Sequence, residues 1–327
     1  MNAAPMNLPR QVSIREVGPR DGFQSIDRFI PTADKLDIIA AIADAGVTRM
    51  ETTSFVSARA IPQLKDAADV MAGISRPGIS RYRMEHAAMV PNARGAGHAV
   101  AAGVDQLVVV ISATLAHNQA NVHRTVDESL ADLDDIFALS RQHGVPVIGA
   151  VAVAFGCPFQ GDVARADTFH IARAYVDRGA ASVMLADTTG MATPVRVIEM
   201  VNAFKEMFSG TELILHFHNN RGTAMANLLA AMTAGARTFD TALGGIGGCP
   251  NVPLAAGNLA TEDVVFMLEE MGISTGIDLL KIIDAAHLLE KRLGFTLPGQ
   301  VMKSGPCHTL PCRDTGSGCL TSKNNDE

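Results

Sequence analysis

The sequence has 327 residues, 47% of them hydrophobic, and a formal net charge of −7. With no Trp and two Tyr, it excludes an aromatic stacking surface for single-stranded nucleic acid, and the lack of clustered Lys and Arg excludes a polyanion partner. No run reaches the roughly 20 apolar residues of a membrane span, and the N-terminus lacks a basic region followed by an apolar stretch. We therefore expect a cytoplasmic protein that does not contact a membrane.

Short apolar runs alternate with longer amphipathic segments along most of the chain, about every 30 residues. The predicted strands, in chain order, cover residues 12–18, 49–55, 82–90, 107–113, 147–155, 182–190, 213–220 and 238–245. Helical patterns stand between them, for example at 32–46, 126–144 and 194–208. Eight strand-helix units with nearly continuous apolar strands predict an α/β fold, a closed parallel (β/α)8 or TIM barrel, rather than an open sheet.

The region after the eighth unit contains one more helical pattern, at 277–294. We predict a single barrel domain with this extra C-terminal helix over residues 1–303, and a flexible polar tail over 304–327 that is rich in Gly, Ser and charge. The odd number of cysteines, five, argues against a disulfide framework. The three tail cysteines, Cys307, Cys312 and Cys319, are interpreted as solvated thiols.

Polar residues recur where the predicted strands end, which is where barrel enzymes carry their chemistry. In chain order these residues are Arg20, Asp21, Gln24, Glu51, Ser54, Asp187, His216, His218, Cys249 and Asn258. The two histidines are separated by one residue within a predicted strand, so their rings point to the same face. The position of this His-x-His at a strand end makes a metal site the leading interpretation.

Asp21, His216, His218 and Asn258 together form a mixed nitrogen and oxygen ligand set. Such a set suits a hard or borderline divalent cation with open positions for substrate and water, rather than a closed structural zinc site. Two alternatives stay open at this point: Asp21 is also a common turn residue in "RDG", and Asn258 follows a glycine as many loop residues do.

Arg20 and Cys249 each have a functional and a structural interpretation. Arg20 would stabilise an oxyanion that develops during a reaction, or it would form an ion pair with Glu51 or Asp187. Cys249 lies in the glycine-rich segment "GGIGGCP", which would be a closing loop that carries a thiol over the site. From spacing alone, a small buried cysteine in a turn that closes the barrel is the better interpretation.

Several longer motifs identify a known family. The segments "EVGPRDGFQ", "ETTSFVS", "GCPFQG", "ADTTGMATP", "HFH" and "GGIGGCP" followed by "GNLATEDVVFMLEEMGI" closely resemble the 3-hydroxy-3-methylglutaryl-CoA (HMG-CoA) lyase family, over residues 12–295. The resemblance implies a carbon-carbon lyase that cleaves a CoA thioester to acetyl-CoA and a keto acid. By analogy with other barrels of this kind, which often pair through their outer helices, we expect a homodimer or a higher homo-oligomer.

The resemblance carries over to individual positions of this sequence. It implies that Asp21, His216, His218 and Asn258 hold Mg²⁺ or Mn²⁺. It implies that Arg20 faces the thioester carbonyl, that Cys249 acts in proton transfer, and that Glu51 and Asp187 complete the catalytic set. The substrate-facing positions are Arg20, Gln24, Ser54 and Asn220, and the initial base stays open, with Asp21 as the candidate.

Some substrate-side positions depart from the usual pattern of the HMG-CoA lyases. Residues 219–221 read Asn-Asn-Arg instead of Asp-Thr-Tyr, Asn251 replaces a Tyr, and Leu115 replaces an acidic residue. HMG-CoA is therefore the first expected substrate, and a related thioester such as citramalyl-CoA is the alternative. A condensing enzyme, a free keto-acid aldolase and a barrel that only binds a metabolite are the rival classes, and the "GGCP" loop favours a lyase among them.

Overall fold

The computed structural model describes residues 8–75, 79, 82–248 and 257–307, and these contain a closed barrel of eight parallel strands. The strands are β1 (Ser13–Glu16), β2 (Arg49–Ser54), β3 (Glu85–Met89), β4 (Gln106–Ser112), β5 (Val147–Ala152), β6 (Ser182–Asp187), β7 (Glu212–Phe217) and β8 (Thr238–Thr241). Each strand pairs with the next, and β8 pairs with β1, which closes the barrel.

Helices surround the barrel and connect consecutive strands, as parallel pairing requires. They are α1 (Thr32–Asp44), α2 (Ala67–Ile74), α3 (Ala93–Ala101), α4 (Leu115–Val122), α5 (Val126–Ala131), α6 (Leu133–His143), α7 (Arg165–Asp177), α8 (Pro194–Met207), α9 (Ala224–Thr233), α10 (Thr261–Glu270), α11 (Leu279–Leu293) and α12 (Val301–Ser304). The additional helix α11 packs against α1 and α10.

The core has two layers because alternate strand residues face opposite sides of the sheet. One layer lies inside the barrel and includes Val108, Ile148, Met184 and Ile214. The larger layer lies between the strands and the helices. In β7 the inward-facing series continues from Ile214 to His216 and, just beyond the strand, to His218, so the same pleat that fills the barrel carries both imidazoles to its C-terminal end.

The eight predicted strands and the barrel are confirmed. The segment predicted as one helix at 126–144 consists of two helices, α5 and α6, which are separated by Asp132. Thr125 caps α5, and the carboxylate of Asp132 pairs with Arg124, so local polar contacts organise this junction. No helix of the described segments combines the length and apolar character that a membrane crossing needs.

The predicted boundary at residues 303 and 304 falls within α12, and residues 308–327 lie outside the described residues, so the tail stays a prediction. Cys312 and Cys319 belong to that segment. Cys157 is a buried free thiol whose sulfur lies 3.1 Å from the hydroxyl oxygen of Thr114. Cys307 is an exposed free thiol.

Candidate active site and metal centre

The turn after β1 presents two of the predicted site residues. Residues Gly18–Gly22 form one π-helical turn in which the amides of Arg20 and Asp21 donate to the Val17 carbonyl oxygen at 3.1 and 2.7 Å. Gly22 is required by packing, because a Cβ atom there would lie 2.4 Å from Cδ1 of Ile246. The glycine therefore lets this turn pack directly beneath the loop that follows β8.

Arg20 is held by two carboxylates. Its Nε donates to Oε1 of Glu51 at 2.6 Å, and its Nη1 donates to Oδ1 of Asp21 at 2.6 Å. All three side chains are buried. The ion pair that the sequence suggested for Arg20 therefore forms with Glu51, and the guanidinium is fixed in orientation by bonds to Nε and Nη1.

The two histidines meet as the period-two pattern predicts. Nε2 of His216 lies 2.9 Å from Nε2 of His218, and Nε2 of His218 lies 3.8 Å from Oδ2 of Asp21. Ligand atoms of Asp21, His216 and His218 all lie within 4.8 Å of one another, and all three residues are buried. This cluster is a possible metal site.

Asn258 joins the cluster from the far end of the loop after β8. Its Nδ2 donates to Oδ2 of Asp21 at 2.8 Å and to the carbonyl of Ile246 at 3.1 Å, and its Oδ1 is buried with no hydrogen-bond partner in the described structure. Gly247 has a φ of +121° and approaches so closely that a Cβ would lie 2.3 Å from Nδ2 of Asn258. Glycine is thus needed where the loop passes over the cluster.

Burial and charge set the protonation of the cluster. Burial alone would raise the pKa of Asp21, but the opposing charge of Arg20, followed by His216, His218 and the bond from Asn258, lowers it to about 2. Burial, reinforced by His216, lowers the pKa of His218 to about 4. Asp21 is therefore ionised and His218 is neutral at pH 7. Burial alone would lower the pKa of His216, but the hydrogen bond and the charge of Asp240 outweigh the effect of burial and raise it.

Glu51 and Asp187 each have one buried carboxylate oxygen without a partner among the described residues, Oε2 and Oδ2 respectively. Oδ1 of Asp187 accepts from the amides of Met191 and Ala192 at 2.8 and 3.1 Å. Burial raises the pKa of Asp187 to about 6 despite these bonds. The backbone carbonyl of Asp187 also accepts from the amide of His218 at 3.4 Å, so this residue borders the cluster.

The predicted substrate-facing residues have different environments. Ser54 is buried, and its hydroxyl oxygen accepts from the Val56 amide at 3.3 Å, which stabilises the local turn. Oε1 of the half-buried Gln24 has no partner in the part of the chain that is described. Nδ2 of Asn220 donates to the Thr189 carbonyl at 3.1 Å, so the loop after β7 is tied to the loop after β6. Cys249 lies outside the described residues, and its role stays a prediction.

Two charged residues that the sequence analysis did not single out, Arg15 and Asp240, lie beside the cluster of Asp21, His216 and His218. Nδ1 of His216 lies 3.1 Å from Oδ2 of Asp240, and Nη1 of Arg15 donates to Oδ1 of Asp240 at 2.7 Å. Both residues lie within strands and are 1% exposed. A charge inside an otherwise apolar strand is the signal that could have identified them.

A family model described as HMGL-like matches residues 11–289. The chain is 38% identical over 302 residues to a hydroxymethylglutaryl-CoA lyase of Bacillus subtilis, covering 91% of this chain and 100% of the relative. It is 39% identical over 312 residues to an (R)-citramalyl-CoA lyase of Chloroflexus aurantiacus, covering 91% and 96%.

Solved structures agree with the sequence relatives. The structure of an HMG-CoA lyase from A. baumannii in complex with coenzyme A and 3-methylmalate superposes with a TM-score of 0.88 at 41% identity, covering 92% of this chain and 97% of that one. The barrel, the converging ligand atoms and these matches over most of the chain lead to one conclusion: the protein belongs to the HMGL-like family.

Proposed function

We propose that this protein is a divalent-metal-dependent lyase that cleaves a 3-hydroxyacyl-CoA to acetyl-CoA and a keto acid. HMG-CoA, which would yield acetyl-CoA and acetoacetate, is the first candidate substrate, because relatives named for this activity match most of the chain. The observation that carries the proposal is the convergence of Asp21, His216 and His218 within 4.8 Å, beside an arginine fixed by two carboxylates.

The residues present fit a divalent cation. Two facing ring nitrogens 2.9 Å apart match the separation of about 3 Å between neighbouring ligands of an octahedral ion with bonds of about 2.1 Å. Asn258 offers its buried, unpartnered Oδ1 as an oxygen ligand once its amide turns. We propose that the metal is Mg²⁺ or Mn²⁺, held by Asp21, His216, His218 and Asn258, because the carboxylate and amide oxygens suit such ions and none of the proposed ligands is a thiolate.

The bound cation would supply Lewis acidity that lowers the pKa of the substrate 3-hydroxyl group. Asp21 is the candidate for the base that removes the hydroxyl proton. Its carboxylate is ionised at pH 7 and lies in the cluster that would hold the cation, next to the position of the acidified hydroxyl group. The electron pair of the O–H bond then forms the keto-acid carbonyl as the C2–C3 bond breaks.

The electrons of the broken C2–C3 bond come to rest as the enolate of acetyl-CoA. Arg20 donates Nε to Glu51 and Nη1 to Asp21, and we assign its Nη2 to the thioester oxygen where this negative charge develops. Glu51 keeps the guanidinium in that orientation. Cys249 is proposed to protonate the enolate carbon, which releases acetyl-CoA. Asp187 is proposed as a further acidic residue of the catalytic set.

The residues proposed to contact the substrate and select among thioesters are Arg20, Gln24, Ser54 and Asn220. Citramalyl-CoA, cleaved to acetyl-CoA and pyruvate, is the second candidate. It is favoured by the departures from the HMG-CoA lyase pattern, including Leu115, which is 56% exposed where an acid is usual. The relative named (R)-citramalyl-CoA lyase also supports this candidate.

The proposal extends to the cellular compartment and the oligomeric state of the enzyme. We propose a cytoplasmic location, because the composition and the two described free thiols suit a reducing compartment. We propose a homodimer or a higher homo-oligomer, by analogy with barrels of this type.

The test is acetyl-CoA release from a panel of thioesters that includes HMG-CoA and citramalyl-CoA, with Mg²⁺ or Mn²⁺ present. Metal-dependent cleavage of one thioester, abolished by EDTA and by His216→Ala, is the expected result. The panel also includes free 4-hydroxy-2-keto acids and, for the reverse direction, acetyl-CoA with keto acids. Turnover of the free keto acids alone would indicate an aldolase instead of a CoA-thioester lyase. Turnover of acetyl-CoA with keto acids alone would indicate a condensing enzyme.

A further inference from the structure

A row of three buried polar side chains crosses neighbouring strands just below the metal cluster. Arg15 of β1 is the register partner of Asp240 in β8, and Asp240 is the register partner of His216 in β7. Register partners in adjacent parallel strands point to the same face of the sheet. The three side chains therefore form a line inside the barrel, and its last member belongs to the metal cluster.

The contacts along this row define which nitrogen of His216 carries the proton. Oδ1 of Asp240 accepts from Nη1 of Arg15 at 2.7 Å, and Oδ2 lies 3.1 Å from Nδ1 of His216. A carboxylate paired with a guanidinium offers only acceptors, so Nδ1 of His216 must be the donor. In the neutral ring Nε2 then has a free lone pair, and this is the atom that faces His218 at 2.9 Å.

We propose that Asp240, oriented by Arg15, is the positioning residue that fixes His216 in its Nδ1-protonated tautomer and so presents Nε2 to the cation. The inference rests on the proposed metal site. Hydrogen-bonded partners of ligating histidines fix tautomer and ring orientation in this way, and their loss typically costs about 10–100-fold in metal affinity.

The substitution Asp240→Asn separates this role from simple packing, because the two side chains have the same shape. Nη1 of Arg15 continues to require an acceptor, so the amide oxygen faces Arg15 and the amide nitrogen faces Nδ1 of His216. Nδ1 must then accept, and Nε2 carries the proton and loses its lone pair for the metal. A wrong tautomer in unchanged geometry is the expected result, as in the triad of the serine proteases when its aspartate is replaced by asparagine.

Removing Arg15 as well reverses this expectation. In the double variant Arg15→Met/Asp240→Asn no guanidinium competes for the amide oxygen, so the amide is free to turn its oxygen toward Nδ1 of His216. The double variant should therefore bind metal more tightly than Asp240→Asn alone. A purely structural role predicts the opposite order, because the double variant loses more buried contacts.

The experiment measures Mn²⁺ binding by electron paramagnetic resonance on metal-free protein, and the histidine tautomers by ¹⁵N NMR of the same metal-free protein labelled at histidine. His216→Gln assigns the His216 signals. The matched control is Glu212→Gln, which converts another strand carboxylate bonded to an arginine, Arg49, at the opposite end of the barrel.

We expect Asp240→Asn to weaken Mn²⁺ binding by about 10–100-fold and to move the His216 proton from Nδ1 to Nε2. The double variant should recover most of the lost affinity, and Glu212→Gln should bind as the wild type does. Wild-type affinity in Asp240→Asn, an unchanged His216 tautomer, or a double variant weaker than the single one would overturn the inference. A wild-type protein that binds no Mn²⁺ would instead refute the proposed metal site, while the tautomer measurement still tests the role of Asp240.

Discussion

The replacement Arg20→Lys tests the assignment of the enolate oxygen to the guanidinium. Lysine keeps the positive charge but loses the planar group whose Nε and Nη1 donate to Glu51 and Asp21 at 2.6 Å. An ammonium at this position cannot bond both carboxylates in the same geometry and still donate to a substrate oxygen.

The expected effect on the reaction is large compared with that on folding. Loss of one well-placed donor to a developing oxyanion costs about 2.7–4 kcal/mol, so kcat should fall by about 10²–10³-fold. The free energy of unfolding should fall by about 1–3 kcal/mol, because the buried carboxylates lose charge-assisted hydrogen bonds. Mn²⁺ affinity should stay close to that of the wild type, since charge and Asp21 are retained.

The assay is steady-state cleavage of the substrate found in the thioester panel at saturating substrate concentration, with Mn²⁺ saturating and its affinity measured separately. Arg49→Lys is the matched control, because Arg49 bonds Glu212 in the strands at the other end of the barrel. A kcat for Arg20→Lys within tenfold of the wild type, with the control unchanged, would refute the role assigned to Arg20.

Three further predictions concern packing and pH. Gly22→Ala should lower the free energy of unfolding by about 1–3 kcal/mol, measured by urea denaturation, because its Cβ would overlap Ile246. Gly97→Ala should raise the free energy of unfolding by about 0.5–1 kcal/mol, since this position within α3 leaves space for a methyl group. A lower free energy of unfolding for this variant would contradict the packing described at Gly97. Burial raises the pKa of Glu262 from 4.5 to about 8, so its contribution to stability is complete below pH 4.5 and is lost as the pH rises toward 8. Denaturation across this window should show a negative slope of up to about 1.4 kcal/mol per pH unit from this group, which Glu262→Gln removes; an unchanged slope would refute the assignment.

Much of the fold was predictable because each strand of a parallel barrel is buried on both sides and therefore stands out as an apolar run. The same pleat geometry predicted that His216 and His218 share a face, and their Nε2 atoms are 2.9 Å apart. The position of Asp21 near them followed from the rule that strand ends meet at one end of a barrel.

The polar residues that support the cluster could not be predicted in the same way. Arg15 and Asp240 bond each other across 225 positions of sequence, and a local pattern does not show which distant strand will supply a counter-charge. Glu16 also bonds a residue that is distant in sequence. Its Oε1 accepts from the amides of Gly18 and Leu243 at 2.6 and 2.9 Å, which joins the turn after β1 to the end of β8. Such pairings depend on strand order and register, which appear only when the barrel closes.

Substrate cleavage in D₂O tests the central claim most directly. The account predicts that, with Mg²⁺ or Mn²⁺ present, mass spectrometry detects acetyl-CoA carrying one solvent-derived deuterium in its methyl group, because the enolate formed on C–C cleavage is protonated at carbon. Acetyl-CoA without deuterium would argue against protonation from a solvent-exchanged group, and the absence of metal-dependent acetyl-CoA from every thioester of the panel would contradict the proposed lyase.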